Sequence, residues 1–344
     1  MIIVAKYLAR DAKQIQKDLM NHELFNKSFK SKKEGEYLYS ALTKKQIIEG
    51  VEFEERESDF LPKSNQPISL REALQDILTS EELALLKSAY DVVGTIGIVE
   101  IDEEIRHKEL LIGETLLSIN SLLQTVLRKD GSHSGEFRTQ KMKLLAGVDT
   151  RETIHKENGA RITINVESVY YSPRLSNERI RIAKLVKPGE RILHMFSGCA
   201  PCECVIGKNA QPKEQIGIEL NPSGYDYGLQ NITLNKLKNV TLYNADAKVK
   251  TPQLGSFDRI TMNLPKSAYE FLDEAISASH DGTILHYYDF LHEDEFDIAK
   301  QRVIDACKKQ SKSCEIVGVY TCGAQGVRTY RICVDVKIIN THQK

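Results

Sequence analysis

"RILHMFSGCAPCECVIGK", residues 191–208, is the stretch on which the fold turns. RILHMF is a short apolar run of strand character, and FSGCAP stops it with a glycine and a proline. On both sides the chain alternates helix and strand. NERIRIAKLV (177–186) reads as a helix, QIGIELN (215–221) as a strand and PSGYDYGLQNITLNKL (222–237) as a helix. NVTLYNAD (239–246) and FDRITMNLP (257–265) are strands, AYEFLDEAISAS (268–279) a helix and GTILHYYDF (282–290) a strand. This rhythm predicts an α/β architecture with a mostly parallel, doubly wound sheet. Such sheets bind ligands beyond the carboxyl ends of their strands, where strand order reverses.

Those ends are chemically loaded. The first expected strand runs into FSGCAP, the second closes on Glu219, the third on Asp246 and the fourth on Asn263. A glycine turn lets a ligand approach the backbone. An acid closing the second strand is placed to accept hydrogen bonds from ribose hydroxyls, and a polar residue after the third meets an adenine edge. In that order the positions fit an adenosine-containing cofactor. MNLP (262–265) would present an amide and backbone carbonyls over the cofactor's reactive end.

Upstream the pattern differs. IIVAKYL is strand-like, Ala12 to Asn21 is a polar helix, and YLYSAL and VEFEERE are further strands. SDFLPKSNQP (58–67), with two prolines and no hydrophobic period, is the expected linker. A helical stretch follows over 69–89, with Ser69 as N-cap and Glu72 three residues on. YDVVGTIGIVEI (90–101) reads as two short strands around a turn, and 103–127 as an amphipathic helix. EFRTQKMKLLAG (136–147) and ARITINVESVYYS (160–172) are β-rich, with HKENG (155–159) as a turn between them. The expected domains are therefore two smaller α+β domains, 1–62 and 66–165, before an α/β domain over 166–344.

The 344 residues carry 47 Lys and Arg against 48 Asp and Glu, a net charge of -1. That balance excludes a uniformly basic nucleic-acid binder but leaves local basic faces, such as NKSFKSKK (26–33) and the arginines near 174–184. Mean hydropathy is -0.35, and no apolar run approaches the roughly 20 residues that cross a bilayer. A cytoplasmic protein with no membrane association and no obligatory protein partner is expected. Seven cysteines make no disulfide framework.

Several segments together carry a resemblance. TIHKENG (153–159), VYYSPRLSNERIRI (169–182), the frame HMFSG with Ala200 and Pro201, MNLPKSAYEFLDEAI (262–276) and ILHYYDF (284–290) resemble the archaeal and eukaryotic tRNA guanosine-37 N1-methyltransferase family. GEFRTQKMKLLAG (135–147) is similar to that family's upstream segment. The likeness spans the whole chain and implies a class I, Rossmann-like methyltransferase domain behind two tRNA-engaging domains. It implies methyl transfer from S-adenosyl-L-methionine to N1 of guanosine-37, in the anticodon loop of tRNA. N1 carries a proton at neutral pH, so a base must remove it; the family's glutamate falls on Glu178, expected to have a raised pKa. Charge developing on O6 calls for a guanidinium, and the family's arginine falls on Arg138. Tyr170 matches an aromatic beside the reacting site, and Asn263 to Pro265 the segment beside the methyl donor. The match gives the cofactor Phe196, Ser197, Gly198, Pro201, Glu219, Asp246, Asn263 and Leu264. It sets Arg174, Arg179 and Arg181 near RNA phosphates. A wyosine-pathway enzyme, methylating or transferring an aminocarboxypropyl group to a tricyclic guanosine, shares most of these motifs. A tRNA-binding relative that has lost catalysis is the other alternative.

The family's loop reads roughly Asp-Met-Phe-Ala-Gly-Val-Gly-Pro-Phe. Here His194 stands for the acid, Cys199 and Ala200 for the Val-Gly pair, and Cys202 for the phenylalanine. A zinc knuckle needs a second ligand pair, and Cys307, Cys314, Cys322 and Cys333 are scattered. Cys199, Cys202 and Cys204 are therefore expected to be small buried fillers, with no metal bound.

Overall fold

The computed structural model describes residues 2–26, 29, 31–48, 50–56, 69–135, 137 and 139–340, without side chains at 132–134. It divides into two compact units, 1–84 and 85–344. The expected linker 58–67 lies outside the described residues, as does Arg138.

In the first unit β1 (Ile2–Leu8), β2 (Lys32–Glu34), β3 (Tyr37–Ala41) and β4 (Glu52–Arg56) form an antiparallel sheet in the order β2-β3-β1-β4. Helix α1 (Ala12–Asn21) sets Ile15 and Leu19 against Ala5, Tyr7, Leu24 and Phe25 to make its core. The helical stretch expected over 69–89 is two short helices, α2 (Leu70–Leu74) and α3 (Ser80–Leu85). Ser69 and Glu72 do form the reciprocal cap, at 3.2 and 2.7 Å. The helix stops because Thr79 and Glu82 build a second such cap, at 3.2 and 2.9 Å, and the chain restarts there.

The second unit begins with a four-stranded sheet of β5 (Asp91–Val93), β6 (Ile96–Val99), β7 (Thr125–Ser134) and β8 (Thr139–Gly147). Helix α4 (Glu109–Ile119) crosses between the parallel neighbours β6 and β7. It is shorter than the helix expected over 103–127. A 3-10 turn occupies Glu103–Lys108, and β7 takes over at Thr125 because Val126 and Leu127 are needed, fully buried, in the sheet.

A hairpin of β9 (Glu152–Glu157) and β10 (Ala160–Asn165) follows. Its turn is Asn158-Gly159, both at positive φ (44° and 80°), the geometry that Asn-Gly favours in a two-residue hairpin. The doubly wound part starts with α5 (Ser176–Leu185). It continues through β11 (Arg191–His194), α6 (Pro201–Asn209), β12 (Glu214–Glu219), α7 (Pro222–Leu234), β13 (Val240–Asn244), α8 (Ala247–Lys250) and β14 (Phe257–Met262). Then come α9 (Leu272–Ser277), β15 (Ser279–His292), α10 (Phe296–Lys309), β16 (Lys312–Gly326) and β17 (Thr329–Asn340). The sheet order is β13-β12-β11-β14-β15-β17-β16. β17 runs antiparallel to both neighbours, whereas β11 to β15 are parallel.

The hairpin's free edge is closed by amides instead of another strand. From α7, Asn231 accepts from Thr163 N–H at 2.7 Å and donates to the Thr163 and Cys199 carbonyls, both at 2.9 Å. One turn on, Asn235 does the same for Arg161, at 2.9 and 2.6 Å. Cys199 joins Val93, Ile98, Leu127, Met142 and Ile164 in one core, so the hairpin, the four-stranded sheet and the turn after β11 share buried surface.

Candidate active site

The reversal of strand order lies between β11, whose chain winds outward to β13, and β14 on its other side. A cavity of about 450 Å³ opens there, beyond the carboxyl ends of the strands. Of the residues expected at the cofactor, Phe196, Ser197, Gly198, Pro201, Glu219, Asp246, Asn263 and Leu264 all line it. Tyr170, Glu178 and Arg179 line it too. Pro265 is buried outside the lining.

The turn after β11 is built from its own backbone. Gly198 has φ +55°, with no neighbouring atom closer than 3.8 Å to where a Cβ would stand, so this side of the turn is open to a ligand. Ala200 sits where a second glycine was expected and still adopts the left-handed conformation, at φ 59° and ψ 40°. That costs an L-residue about 1–2 kcal/mol, offset by its methyl group, which is fully buried against Ile232 and Leu242. Gly198 N–H donates to Glu219 Oε2 at 2.6 Å and Asn221 N–H to Oε1 at 2.8 Å. Burial raises the Glu219 pKa against those two bonds. Each oxygen keeps acceptor capacity for a hydroxyl. Asp246 caps α8 by accepting from Lys248 N–H at 2.8 Å.

The three cysteines have distinct places. Cys199 is core, Cys204 accepts from Asn235 at 3.4 Å, and Cys202 accepts from the Asn263 side chain at 3.1 Å. Cys202 thus ties the turn to MNLP. Burial pushes the Cys199 and Cys202 thiols up to about 12, so both stay protonated and unreactive near neutral pH.

Glu178 stands in the first turn of α5, buried at the cavity wall. Tyr288 OH donates to its Oε1 at 2.6 Å, and Arg181 donates to both oxygens, at 2.7 and 2.8 Å. Burial alone raises a carboxyl, but these bonds outweigh it and hold Glu178 below the ordinary value. The sequence suggested the reverse, because the partners come from β15 and from a helix position that reads as surface. Arg181 continues inward to Asp335 at 2.6 Å, and Asp335 to His286 at 2.6 Å. Tyr288, Asp335 and His286 escaped the reading of the sequence; the only signal was that they sit at inward positions of long strands.

The arginines correct a second expectation. Arg179 is buried against Glu157, with Nη2 at 2.7 Å, and against the Tyr171 hydroxyl at 3.2 Å. Arg181 is committed to Glu178 and Asp335. Neither faces outward, since α5 turns both toward the body of the unit. Arg174 is more open, 60% of its side chain exposed, and pairs with Asp91 at 2.7 Å.

A sheet of this order, its seventh strand reversed, with a carboxylate-closed cavity at the switch point, defines a class I, Rossmann-like methyltransferase. Residues 153–317 match the TRM5/TYW2 methyltransferase domain, and 70–150 match the TYW2 N-terminal domain. The chain belongs to this methyltransferase family. The tRNA (guanine(37)-N(1))-methyltransferase Trm5b of Pyrococcus abyssi is 32% identical over 339 residues, 98% of this chain and 99% of that protein. Its crystal structure is similar with a TM-score of 0.76 at 31% identity, over 98% of this chain and 100% of that one. The complex of aTrm5 and tRNALeu gives 0.69 at 30% identity, covering 98% and 100%. Methanocaldococcus jannaschii Trm5 in complex with adenosine gives 0.66 at 29% identity, covering 98% and 99%. Among the described residues no helix is long and apolar enough to cross a membrane.

Proposed function

We propose that this enzyme methylates N1 of guanosine-37 in tRNA, with S-adenosyl-L-methionine as donor. One observation carries the reading: an ionised, oriented carboxylate, Glu178, lines the same cavity as the residues suited to an adenosyl cofactor. The open turn at Gly198 and the backbone-fixed Glu219 fit the adenosine portion, and Asp246 lies beyond the third strand to meet the base. The cofactor supplies an electrophilic methyl group on a sulfonium. Glu178 removes the N1 proton of the guanine, which turns the nitrogen lone pair into a nucleophile. Its Oε2, with one bond against two on Oε1, is the freer acceptor. Arg138 is the proposed partner of the charge on O6. Asn263, anchored on Cys202, holds the end of β14 beside the reacting atoms. Tyr170 forms a wall of the base site. The division into two tRNA-engaging domains and a catalytic one, near 62–66 and 165, belongs to the same proposal, with Arg174 the remaining arginine facing RNA. A cytoplasmic location goes with it.

Incubation of the protein with cofactor and tRNA transcripts bearing G or A at position 37, followed by nucleoside mass spectrometry, tests this. N1-methylguanosine from the first alone is expected; its absence removes the proposal. The match of 70–150 to a TYW2 N-terminal domain favours a second reading, action on a tricyclic guanosine. A tRNA carrying the wyosine precursor, run beside the others, decides it.

A further inference from the structure

Four arginines among the described residues are more than nine-tenths buried: Arg128, Arg179, Arg259 and Arg331. Three have a carboxylate, respectively Glu109, Glu157 and Glu190, at 2.8 Å or less. Arg331, on β17 and 8% exposed, forms no ion pair among the described residues. Its Nη2 donates to the Tyr170 hydroxyl at 2.8 Å, and its guanidinium lies 5.0 Å from the centre of the Phe290 ring. Its Nε is shut off from solvent with no acceptor. A buried cation without an anion is costly, so such a residue is retained for a charge that arrives from outside.

Where that charge would come from is set by the cleft that Arg331 lines. This second cleft, about 640 Å³, adjoins the cofactor cavity and shares Tyr170 with it as a wall. Arg331 lines only the second. Three other cations there are spoken for, Lys87 by Asp102, Lys129 by Glu100 at 2.6 Å and Arg174 by Asp91. Lys266, directly after MNLP, is exposed and forms no ion pair among the described residues. Because Tyr170 separates the two clefts, the second is the space next to a base held in the first.

We propose that Arg331, assisted by Lys266, binds a backbone phosphate flanking the target nucleotide and, through its bond to Tyr170, positions the wall against which the base rests. This rests on the reading of the enzyme as a tRNA guanosine methyltransferase. A guanidinium is suited to the task because its forked donors match phosphate oxygens.

The test uses the full-length protein and full-length tRNA in which one linkage at a time, 5′ or 3′ of guanosine-37, is a neutral methylphosphonate. For the wild type, neutralising one linkage raises KM about tenfold or more with kcat within about twofold, as expected for losing one charge-assisted contact. Arg331→Met raises KM for the normal tRNA by a similar factor and shows little further loss with the neutral linkage, while S-adenosylmethionine affinity is unchanged. Arg331→Lys, which keeps a point charge, falls between. The proposal is overturned if neither neutral linkage affects the wild type. It is equally overturned if Arg331→Met suffers the full additional loss, or if kcat alone falls, which would put the guanidinium on the base. Should the methionine variant not fold, the lysine variant and the wild-type arm decide. Failure of the wild type to methylate normal tRNA would instead sink the functional reading itself.

Discussion

Glu178, the proposed base, owes its charge to its neighbours. Isolated at the start of a helix it would be an ordinary dipole partner; buried alone it would be protonated. Arg181 and Tyr288 keep it ionised, so its folded pKa lies below the unfolded one. The sign follows: this ionised pair contributes fully above the ordinary glutamate range, and the contribution disappears as pH falls through the lower folded value. Activity at acidic pH should persist to below the range of a free glutamate. Tyr288→Phe removes one of the bonds that lower the pKa, so the acid limb of the kcat profile should move to higher pH; an unmoved limb would show that Glu178 is not the titrating base. Glu178→Ala should abolish turnover while calorimetry finds cofactor affinity within about threefold of wild type, since Glu219 and the turn at Gly198 remain. Gly217 gives a packing prediction. A Cβ there would stand 2.3 Å from both Leu242 Cδ2 and Ser197 Oγ, so Gly217→Ala should cost about 1–3 kcal/mol of stability by denaturant unfolding.

At the scale of elements, helix α7 does what a strand normally does. Asn231 and Asn235, four residues apart and on one helix face, satisfy the backbone of β10 from the side. Asn231→Ala leaves three backbone groups, one buried and two partly buried, without this partner, at about 1 kcal/mol each, so a loss of roughly 2–4 kcal/mol is expected in thermal or chemical unfolding. A change under about 0.5 kcal/mol would mean that water replaces the amide. Elements were legible where the signal is local. Ser69 with Glu72 predicts its cap; of the turn expected over 155–159 only Asn158-Gly159 turns, while His155 to Glu157 pair with β10 as the end of β9, because polar residues on a half-exposed hairpin strand look like loop in the sequence. The helix expected over 103–127 overran because Leu123, Val126 and Leu127 fit a helical period as well as a buried strand, and only sheet pairing to Ile96–Val99 chooses between them. The β16–β17 pair went unread, although it carries Arg331, Cys333 and Asp335.

For the whole molecule, every residue lining the cavity at the switch point, the proposed cofactor site, belongs to 85–344. A fragment starting at Thr79, which keeps α3 whole, should therefore bind S-adenosylmethionine with wild-type affinity in calorimetry; a tenfold loss would show that the first unit shapes the cavity. A net charge of -1 on a protein expected to hold an anticodon loop means that its cations must be concentrated locally. The structure narrows which ones: Arg179 is internal, Arg181 is committed to Glu178 and Asp335, Arg174 is partly open, and Arg331 is buried with no ion pair among the described residues.

The sequence by itself determined the alternation of helix and strand after 177, the glycine turn, and the strand-end acids Glu219 and Asp246. These depend on spacing along the chain, and parallel βαβ units bring every strand end to one edge of the sheet. Only the tertiary structure decided the charge state of Glu178, the inward turn of Arg179 and Arg181, the hold of Cys202 on Asn263, and the burial of Arg331 against Tyr170 with no ion pair among the described residues. Each depends on a partner at least 60 residues away or on which side of a helix meets the body of the protein. Burial and pairing are properties of neighbours in space, and the order of residues along the chain does not state them.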